Sequence, residues 1–425
     1  MGRNKIPQLP LDDQCSACGV CVSVCKHHAL KMEEDENGFY HVSFSKDSCI
    51  GCGLCEEHCH IIHPERQAWH DFKNTQPLAG WSTDPNIIRN SATGGIFSQI
   101  AWDMLGEGDC FVFGASLQEN GIVKHIEIQR REDIQQLQNS KYQQSETTDV
   151  FTLVRQRLKE GKRVVFSGVP CQIAALYAFL GVDKQLREHL YTIEVICHGV
   201  PSNALQRLGL RYVKAKRILH YRNKYLTGWL YGANNRVSYI MGDGSVKYMD
   251  KTRNDFLFTS YLTFSFLRKN CYSCHYSQVR RVSDVTIGDF WGFEKSKRYD
   301  LYANYMGTSV IIANTEKGKQ MLNNSKNIHL VDTSWREVLP LNQNLFMPTN
   351  NAIFHASDKI AKWLKYPEPF RQLLFMNGST NHILQKIYGE LSHGWIKSKR
   401  KKAEKEKKER LKETLEYLEN NTIDK

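Results

Sequence analysis

Eight cysteines between residues 15 and 59 repeat one spacing twice, and this pattern constrains the fold more than any other feature of the chain. The first copy comprises Cys15, Cys18, Cys21 and Cys25, and the second comprises Cys49, Cys52, Cys55 and Cys59. Three closely spaced thiolates let one loop hold three corners of an iron–sulfur cubane, and in a duplicated module the fourth cysteine of each copy ligates the other cluster. The spacing therefore predicts two 4Fe-4S clusters, one held by Cys15, Cys18, Cys21 and Cys59 and the other by Cys49, Cys52, Cys55 and Cys25.

Zinc and disulfides are the alternative uses of so many cysteines. Zinc sites usually combine two cysteine pairs with a wider gap between them, which fits two identical runs of four poorly. The first 15 residues, MGRNKIPQLPLDDQC, lack the apolar core of a secretory signal. We therefore expect a reducing cytoplasmic location, where disulfides are rare.

These eight residues resemble the two-cluster ferredoxins of bacteria. Members of that family usually carry proline directly after the fourth cysteine of each copy, whereas this chain has Lys26 and His60 there. The substitutions leave the predicted ligands intact but change groups close to the clusters. Such groups tune reduction potential and solvent access.

Composition favours a folded protein with two or three domains. The chain has 425 residues, and no run approaches the roughly 18 apolar residues of a membrane-spanning helix, so we expect a soluble protein. The net charge of +12 is concentrated in residues 397–412, which hold ten basic and three acidic side chains. Residues 12–63 hold nine acidic and three basic side chains, which argues against nucleic-acid binding by that segment.

Four of the five remaining cysteines lie beside predicted turns. Cys171 begins a predicted helix, Cys197 ends a predicted strand, and Cys271 and Cys274 form a C-x-x-C pair. A helix amino terminus favours the thiolate form that ligates metal. Either all four hold a third cubane, or the first two are core residues while the pair, with His275, binds zinc. Spacing alone leaves both interpretations open.

Changes in composition divide the chain into four predicted units. Residues 1–63 form the ferredoxin-type domain, and residues 64–90, which carry prolines without clear periodicity, form a connector. Residues 91–395 form a large domain, and residues 396–425 form a charged helical tail. Because the tail has few apolar residues to bury, we expect a solvated, fraying helix that is either a docking arm for an acidic partner or surface, or a solubilising end.

Alternating strand and helix patterns place the large domain in the α/β class with β-hairpin insertions, and the whole chain is α+β. Strands are predicted at residues 110–117, 122–129, 163–168, 190–199 and 308–314, and helices at residues 96–105, 171–180 and 202–215. This order indicates a largely parallel sheet that is covered on both faces. Between residues 231 and 249, RVSYIMGDGSVKYM predicts an antiparallel hairpin with Asp-Gly at its turn. Cys110, in the first strand, is most simply a buried apolar residue.

Glycine-rich turns mark where a phosphate-bearing cofactor can bind. The loop Ser91, Ala92, Thr93, Gly94 and Gly95 directly precedes a predicted helix, whose amino terminus favours a negative charge. Two more turns, around Gly168 and Gly199, follow predicted strands, and open α/β sheets bind ligands at strand ends. Neither G-x-G-x-x-G nor G-x-x-x-x-G-K-S/T occurs, which argues against a simple NAD-dependent dehydrogenase and against an NTPase.

Five further motifs lie in order behind the ferredoxin-type segment: SATGGIFS, FSGVPCQIAAL, VICHGVPS, RKNCYSCHY and SDVTIGDFWG. Together they resemble the beta-subunit family of the coenzyme F-420 hydrogenases and dehydrogenases, and the resemblance runs from Cys15 to about Trp291. It implies FAD beside 4Fe-4S clusters. Some relatives oxidise or reduce the deazaflavin coenzyme, and others are chlorophyll-type reductases or accompany bacterial surface-polysaccharide synthesis.

The resemblance also implies roles for individual residues. Cys171, Cys197, Cys271 and Cys274 would hold a third cubane beside the flavin, the loop from Ser91 to Gly95 would lie along the FAD, and Gly288 and Asp289 would line the same cavity. Four cations near the cysteine pair either contact the flavin pyrophosphate or an anionic substrate, or are solvated: Arg268, Lys269, Arg280 and Arg281. His198 either relays a proton to the reduced flavin or caps its turn.

These features predict an iron–sulfur flavoprotein oxidoreductase. A flavin exchanges two electrons with a hydride donor and one with a cluster, so electrons would move through FAD between the clusters and a two-electron carrier such as the deazaflavin coenzyme, in either direction. The acidic segment suits either a basic redox partner or covering by the protein's own basic domain. The alternatives are a non-catalytic electron-transfer subunit of a larger redox complex, a ferredoxin-fed reductase in surface-polysaccharide synthesis, and a zinc-bound interaction module.

Overall fold

The structure of the protein is a computed structural model that describes residues 6–11, 13–72, 75–222, 237–248, 261, 264, 266–292, 306–349 and 389–421. Its strands are β1 (Leu30–Glu34), β2 (Tyr40–Phe44), β3 (Leu78–Ser82), β4 (Cys110–Leu117), β5 (Val123–Ile128), β6 (Arg163–Gly168), β7 (Leu190–Val195), β8 (Ala215–His220), β9 (Ser238–Met241), β10 (Val246–Tyr248), β11 (Val285–Asp289), β12 (Ser309–Ala313) and β13 (Ile328–Asp332). Its α-helices are α1 (Val20–Val24), α2 (Leu54–Glu57), α3 (Pro85–Asn90), α4 (Ile96–Gly106), α5 (Val150–Lys159), α6 (Pro170–Leu180), α7 (Lys184–Glu188), α8 (Asn203–Val213), α9 (Glu316–Asn324), α10 (Trp335–Val338) and α11 (Gly389–Asn421). Short 3-10 helices occupy Pro64–Arg66, Arg131–Gln136, Lys269–Ser273, Leu339–Leu341 and Gln343–Leu345.

The large sheet has the strand order β13-β3-β12-β11-β7-β6-β4-β5 within the described part of the chain. Its central strands, β11, β7, β6 and β4, run parallel to one another. Antiparallel strands flank them, with β5 beside β4 and with β12, β3 and β13 beyond β11. The fold is therefore mixed α/β, and the expected parallel sheet is present only at the centre. The loop 118–122 between β4 and β5, for example, is too short for a parallel crossover.

Alternating side chains along the strands bury both faces of this sheet. In β4, Phe111 and Phe113 pack with helices α5 and α6, whereas Cys110 and Val112 pack with helix α4 on the opposite face. Successive strand side chains point to opposite faces, so both layers of helices have apolar side chains to pack against. Cys110 is 2% exposed, which confirms the prediction that it is a buried core residue.

Each strand and helix predicted from the sequence for the large domain is present, with ends that differ by a few residues. The predicted hairpin is present as β9 and β10. At its turn Gly244 has a φ of 83°, and Asp243 Oδ1 accepts a hydrogen bond from Ser245 N at 2.9 Å. Residues 231–236 and 249 of this prediction lie outside the described residues.

Strand β3 lies inside the large sheet, between β12 and β13, although the sequence predicts a connector for residues 64–90. Its sequence, LAGWS, is short, and its neighbours Ser309 and His329 come far later in the chain. Gly80 approaches the next strand so closely that a Cβ there would lie 2.6 Å from the His329 carbonyl oxygen. Local periodicity cannot reveal such distant pairing. The boundaries of the four units stay predictions.

The N-terminal segment repeats its local structure as it repeats its sequence. Helices α1 and α2 follow Gly19 (φ 77°) and Gly53 (φ 76°), which occupy the same place in each cysteine run. Strands β1 and β2 form an antiparallel hairpin between the two runs. The first run is tied to the large domain, because Thr147 Oγ1 donates a hydrogen bond to the Cys18 carbonyl oxygen at 2.8 Å.

Helix α11 packs against the large domain through its C-terminal half. Leu418 is 1% exposed and, with Leu411 and Leu415, contacts an apolar cluster that includes Phe72. The Tyr417 ring lies 5.1 Å from the Phe72 ring. The prediction of a solvated tail is therefore wrong for this half of the helix. The three leucines form an apolar stripe at helical spacing within a highly charged sequence, and this stripe packs on the domain. Among the described helices, none combines the length and apolar character that crossing a bilayer requires.

Candidate iron–sulfur and cofactor site

The four cysteines predicted to hold the first cluster converge in the structure. Cys18, Cys21 and Cys59 are buried, and Cys15 is half-buried beside them. Burial, with a smaller contribution from the neighbouring Cys15 and Cys59 thiols, raises the pKa of the Cys18 thiol to about 12. Each thiolate disfavours ionisation of its neighbours, so the thiols stay protonated unless a positive charge lies among them. The iron ions of a cubane supply that charge and stabilise the thiolates.

The second predicted ligand set lines one small cavity of about 90 Å³. Its four cysteines are Cys25, Cys49, Cys52 and Cys55. Because Cys25 belongs to the first run and the other three to the second, the exchange of fourth cysteines between runs is present in the geometry. Cys52 is exposed, so this set reaches the protein surface.

Each run also directs a backbone N–H group at the sulfur of its first cysteine. Ala17 N donates to Cys15 Sγ at 3.3 Å, and Gly51 N donates to Cys49 Sγ at 3.4 Å. Hydrogen bonds to ligand sulfurs stabilise the thiolate and tune the potential of a cluster. Both loops therefore fit the thiolate ligands of a cubane.

The other four predicted ligands line a cavity of about 310 Å³ where the large domain meets the N-terminal segment. They are Cys171, Cys197, Cys271 and Cys274. Cys171 lies in the first turn of helix α6, and Cys197 follows strand β7. Gly199 N donates to Cys197 Sγ at 3.4 Å, which repeats the N–H to sulfur geometry of the ferredoxin-type runs.

These four thiols influence one another as well. Burial raises the pKa of the Cys171 thiol well above its ordinary value, and the Cys197, Cys274 and Cys271 thiols raise it further. None of the thirteen cysteines forms a disulfide. Among the described residues, no group of three or more His, Cys, Asp or Glu side chains is arranged to hold a single metal ion. Whether these four residues hold a cubane, or the pair binds zinc, stays a prediction.

A second large cavity, of about 300 Å³, lies at the carboxyl ends of the central parallel strands. Its lining includes Ser91, Ala92, Thr93, Gly95, Gly168, Gly199, Gly288 and Asp289, all predicted to bind a cofactor. Open α/β sheets bind ligands at this edge, and cavities of about 300 Å³ and more hold small molecules. The tertiary structure thus brings three separate glycine turns to one site.

Gly94 is the predicted loop residue that does not line this cavity. It packs against the sheet instead, where a Cβ would lie 2.6 Å from the Gly80 carbonyl oxygen and 2.8 Å from Ser309 Oγ. Its own carbonyl accepts a hydrogen bond from Ser82 N at 2.6 Å. Gly94 therefore lets the loop approach the sheet closely enough to form this hydrogen bond. A side chain at this position would clash with the sheet.

The four cations predicted to contact the flavin or a substrate do not line this cavity in the described part of the chain; they are Arg268, Lys269, Arg280 and Arg281. Arg268 and Arg281 are buried in the wall of the cysteine cavity, where Arg281 forms an ion pair with Glu194. Arg280 lies over the Trp69 ring, and Lys269 is exposed. Arg281 is held by a carboxylate because a buried guanidinium needs a charged partner.

Two cations that the sequence analysis missed do line the large cavity. Arg222 Nη1 lies 2.6 Å from Asp289 Oδ2. Lys141 Nζ donates to the carbonyl oxygens of Leu137 and Gln138 at 2.8 and 2.7 Å, and burial lowers its pKa to about 7. No motif surrounds either cation, and only the fold brings them to the glycine turns.

His198 lines the large cavity beside the glycine turn at Gly199. Burial lowers its pKa, so the imidazole is neutral near pH 7, while a hydrogen bond with the Asn344 side chain opposes the shift. The ring is stacked on Phe264 at a centroid distance of 6.2 Å. His198 thus faces the cavity, and its role as a proton relay or as a cap of its turn stays a prediction.

The large cavity and the cysteine cavity share part of their lining. Cys171, Cys197 and Gly199 face both, and Ser16 of the N-terminal segment does so as well. Groups bound in the two cavities are therefore direct neighbours.

Comparison with known proteins shows similarity in both parts of the chain. Residues 161–334 match the family described as coenzyme F-420 hydrogenase/dehydrogenase, C terminus of the beta subunit, and residues 14–61 match the 4Fe-4S dicluster domain. A curated relative, which is a subunit of the F(420)H(2) dehydrogenase of Methanosarcina mazei, is 27% identical over 181 residues, 40% of this chain and 50% of the relative. The match thus spans about half the length of that relative. A solved structure of the F-420-reducing nickel–iron hydrogenase complex from Methanosarcina barkeri gives a TM-score of 0.43 at 17% identity, covering 65% of this chain and 86% of that one.

The two family matches agree with the resemblance that the motifs carry. The dicluster match contains both cysteine runs, and the C-terminal match contains Cys171, Cys197, Cys271 and Cys274. Residues 161–334 are therefore similar to the C-terminal part of the coenzyme F-420 hydrogenase/dehydrogenase beta subunit, and residues 14–61 are similar to a 4Fe-4S dicluster domain.

Proposed function

We propose that this protein is an iron–sulfur flavoprotein oxidoreductase that moves electrons through FAD between a two-electron carrier, such as the deazaflavin coenzyme, and three 4Fe-4S clusters. The shared wall of the two cavities carries the proposal. Cys171 and Cys197 face the large cavity and the cysteine cavity at once. A flavin and a cubane bound there are neighbours, which is the arrangement that electron exchange needs.

The large cavity fits a flavin nucleotide. The loop from Ser91 to Gly95 lies at the amino terminus of helix α4, an 11-residue helix whose N–H groups and dipole favour a pyrophosphate. Arg222 adds a guanidinium, which binds phosphate through two parallel hydrogen bonds. Bound FAD supplies the exchange of electron pairs with a hydride carrier and of single electrons with a cluster.

The chain's own residues would bind the cofactor and manage its proton. Asp289 holds Arg222 in place through their ion pair, so the guanidinium is oriented before the cofactor binds. His198, neutral and facing the cavity, has a ring nitrogen that can hold the proton accompanying hydride exchange. Trp291 and Tyr261 add aromatic side chains to the wall of the same space.

The three ligand sets lie in series. Cys18, of the first set, lies in the buried cluster against which Cys171 and Cys274 of the third set pack. Helix α1, which carries Cys21 of the first set, contacts helix α2, which carries Cys55 of the second. The order from the large cavity is therefore third set, first set, second set. With clusters bound, electrons would leave the second set at the surface beside Cys52, which is exposed.

We define the exit surface as Phe44, Ile50, Cys52 and Glu56, which line the cavity of the second set. Ile50 is 54% exposed and Phe44 is 37% exposed, so two apolar side chains lie at the surface beside the second ligand set. The segment around them is acidic, with nine acidic and three basic side chains in residues 12–63. This combination fits a redox partner with a basic rim and an apolar centre.

The predicted units and location follow the same chemistry. We propose that residues 1–63 conduct electrons, that residues 91–395 hold the flavin and that residues 64–90 and 396–425 connect and brace them. We also propose a cytoplasmic location, because a reducing compartment keeps the twelve proposed cysteine ligands from forming disulfides.

Anaerobic purification with quantitation of iron, sulfide and flavin tests the proposal. We expect about 12 iron atoms per chain, because each of three cubanes holds four, together with one flavin. Mixing with reduced deazaflavin, NADH, NADPH and reduced ferredoxin in turn then identifies the donor as the one that bleaches the chromophores. Iron and sulfide without flavin would instead indicate a non-catalytic electron-transfer subunit.

A pair of variants tests the third ligand set. Cys271→Ser removes one predicted ligand and should lower the iron content by about four atoms per chain. Cys110→Ala, at a buried cysteine outside every ligand set, should leave the iron content unchanged. Equal iron in the two variants would contradict the third cluster.

A further inference from the structure

A buried hydrogen bond joins the N-terminal segment to the large domain between two ligand sets. His60 directly follows Cys59, and Tyr276 lies two residues after Cys274. His60 Nδ1 lies 2.6 Å from Tyr276 Oη, and the two residues are 1% and 3% exposed. The bond thus connects residues that sit beside ligands of different predicted clusters.

Neighbouring groups hold this pair in one orientation. His60 Nε2 lies 3.2 Å from Ser16 Oγ, so both ring nitrogens of the imidazole have partners. The Tyr276 ring is stacked on the Trp69 ring at 5.6 Å with an interplanar angle of 30°. Neither ring can turn away without breaking a buried contact.

The Tyr276 side chain faces thiols of both sets. It lines the cysteine cavity together with the third set, and it belongs to one buried cluster with Cys18 of the first set. Cys171 and Cys274, of the third set, pack against the same cluster. Tyr276 therefore lies between the sets rather than beside one of them.

The second copy of the repeat shows that this contact is not a requirement of cluster binding itself. Lys26 follows Cys25 as His60 follows Cys59, yet Lys26 is exposed. Only the copy that meets the large domain places a buried ring at this position. The contact with Tyr276, rather than the cysteine spacing, therefore accounts for a histidine at position 60.

We propose that Tyr276 and His60 are positioning residues that set the electronic coupling between the cluster of the third ligand set and the cluster of the first. This inference rests on the proposed function. In each transfer one electron leaves one cluster and is gained by the other, while no covalent bond changes and the hydrogen bond stays intact. The aromatic and hydrogen-bonded contact fills the space between the sets and keeps their separation constant.

The variant Tyr276→Phe tests the inference, because it keeps the stacked ring and deletes only the hydroxyl. The holoprotein is mixed anaerobically with the donor that bleaches it, and cluster reduction is followed by freeze-quench electron paramagnetic resonance. We expect wild-type iron and flavin contents, weaker spin coupling between the two clusters and transfer slowed on the order of tenfold, the lower end of what changes around metal ligands cost. His60→Phe should act in the same direction, and Lys26→Gln, the matched control in the other copy, should leave both readouts unchanged.

Wild-type spin coupling and transfer rate in Tyr276→Phe would overturn the inference. Loss of iron in Tyr276→Phe would overturn it too, since the contact would then serve cluster retention. Absence of the third cluster from the wild-type protein is a separate result, because it would contradict the proposed function before any variant is made.

Discussion

Arg222 Nη1 lies 2.6 Å from Asp289 Oδ2 at the wall of the large cavity, with 7% and 13% of the two side chains exposed. Arg222 follows β8 of the small sheet, and Asp289 ends β11 of the large sheet. The ion pair therefore joins two sheets at the place proposed for the flavin. The Trp291 ring, 6.0 Å below the guanidinium, adds a cation–π contact.

Replacing this arginine should release the flavin without removing iron. We expect Arg222→Gln to weaken flavin binding on the order of tenfold or more, because a hydrogen bond to a charged group contributes about 1.5–3 kcal/mol. The flavin-to-iron ratio of purified protein, followed by flavin titration, measures the effect. Arg211→Gln, at an exposed arginine of α8, is the control.

A double variant separates flavin binding from stability. Arg222→Gln alone leaves the Asp289 carboxylate without its partner, which should also lower the free energy of unfolding. Arg222→Gln with Asp289→Asn should recover stability and still lack flavin. Recovery of flavin in the double variant would rule out Arg222 as a cofactor ligand.

Reversing charge near the exit surface should slow reduction of a basic partner. Asp47 and Glu57 are exposed within the acidic segment, and we expect Asp47→Lys with Glu57→Lys to lower the second-order rate constant and flatten its dependence on ionic strength. Stopped-flow reduction of a basic redox protein at several salt concentrations measures both. Glu119→Lys, at an exposed position of the large domain, should change neither. Equal effects of all the charge reversals would argue against a localised docking surface.

A buried histidine should make stability depend on pH. His125 is bonded to Ser145 Oγ at 2.7 Å and to the Ser167 carbonyl oxygen at 2.9 Å, and burial lowers its pKa from 6.5 to about 4. Because the unfolded chain binds the proton more readily, this contribution is complete above pH 6.5 and is lost as the pH falls toward 4. The loss is up to about 1.4 kcal/mol per pH unit and about 3 kcal/mol in all.

The variant His125→Gln should remove that part of the pH dependence. Denaturant unfolding of the holoprotein at pH 7 and pH 5 should show a smaller difference in the free energy of unfolding for the variant than for the wild type. His189→Gln, at an exposed histidine, should keep the wild-type difference. An unchanged difference in His125→Gln would contradict the prediction.

Detaching helix α11 should expose its basic half to protease. Leu418 is 1% exposed, so Leu418→Ala should weaken the packing of this helix by about 2–5 kcal/mol. Trypsin should then cleave within residues 398–412 faster than in the wild type, which timed digestion with mass spectrometry measures. Glu413→Ala, on an exposed position of the same helix, should cleave at the wild-type rate. Equal rates for both variants would show that the leucine stripe does not hold the helix.

Local patterns predicted much of the fold and the grouping of cysteines. The spacing of the two runs predicts that Cys25 belongs to the second set and Cys59 to the first. In the structure Cys25 lines the cavity of the second set, and Cys59 lies near Cys18 of the first. The strands of the central sheet are apolar runs long enough to be recognised. The leucine stripe of α11 is a weak signal in the sequence, because Leu411, Leu415 and Leu418 are only three residues in a highly charged segment.

Cysteine spacing is sufficient to predict the ligand chemistry, because a loop that holds three corners of a cubane needs its thiolates within a few residues of one another. Which other side chains reach those sites depends on the fold. Strand β3 enters the sheet beside partners from the far end of the domain, Arg222 rather than Arg281 reaches the large cavity, and His60 meets Tyr276. Such contacts join residues distant in sequence, whose proximity depends on the packing of whole elements rather than on local spacing.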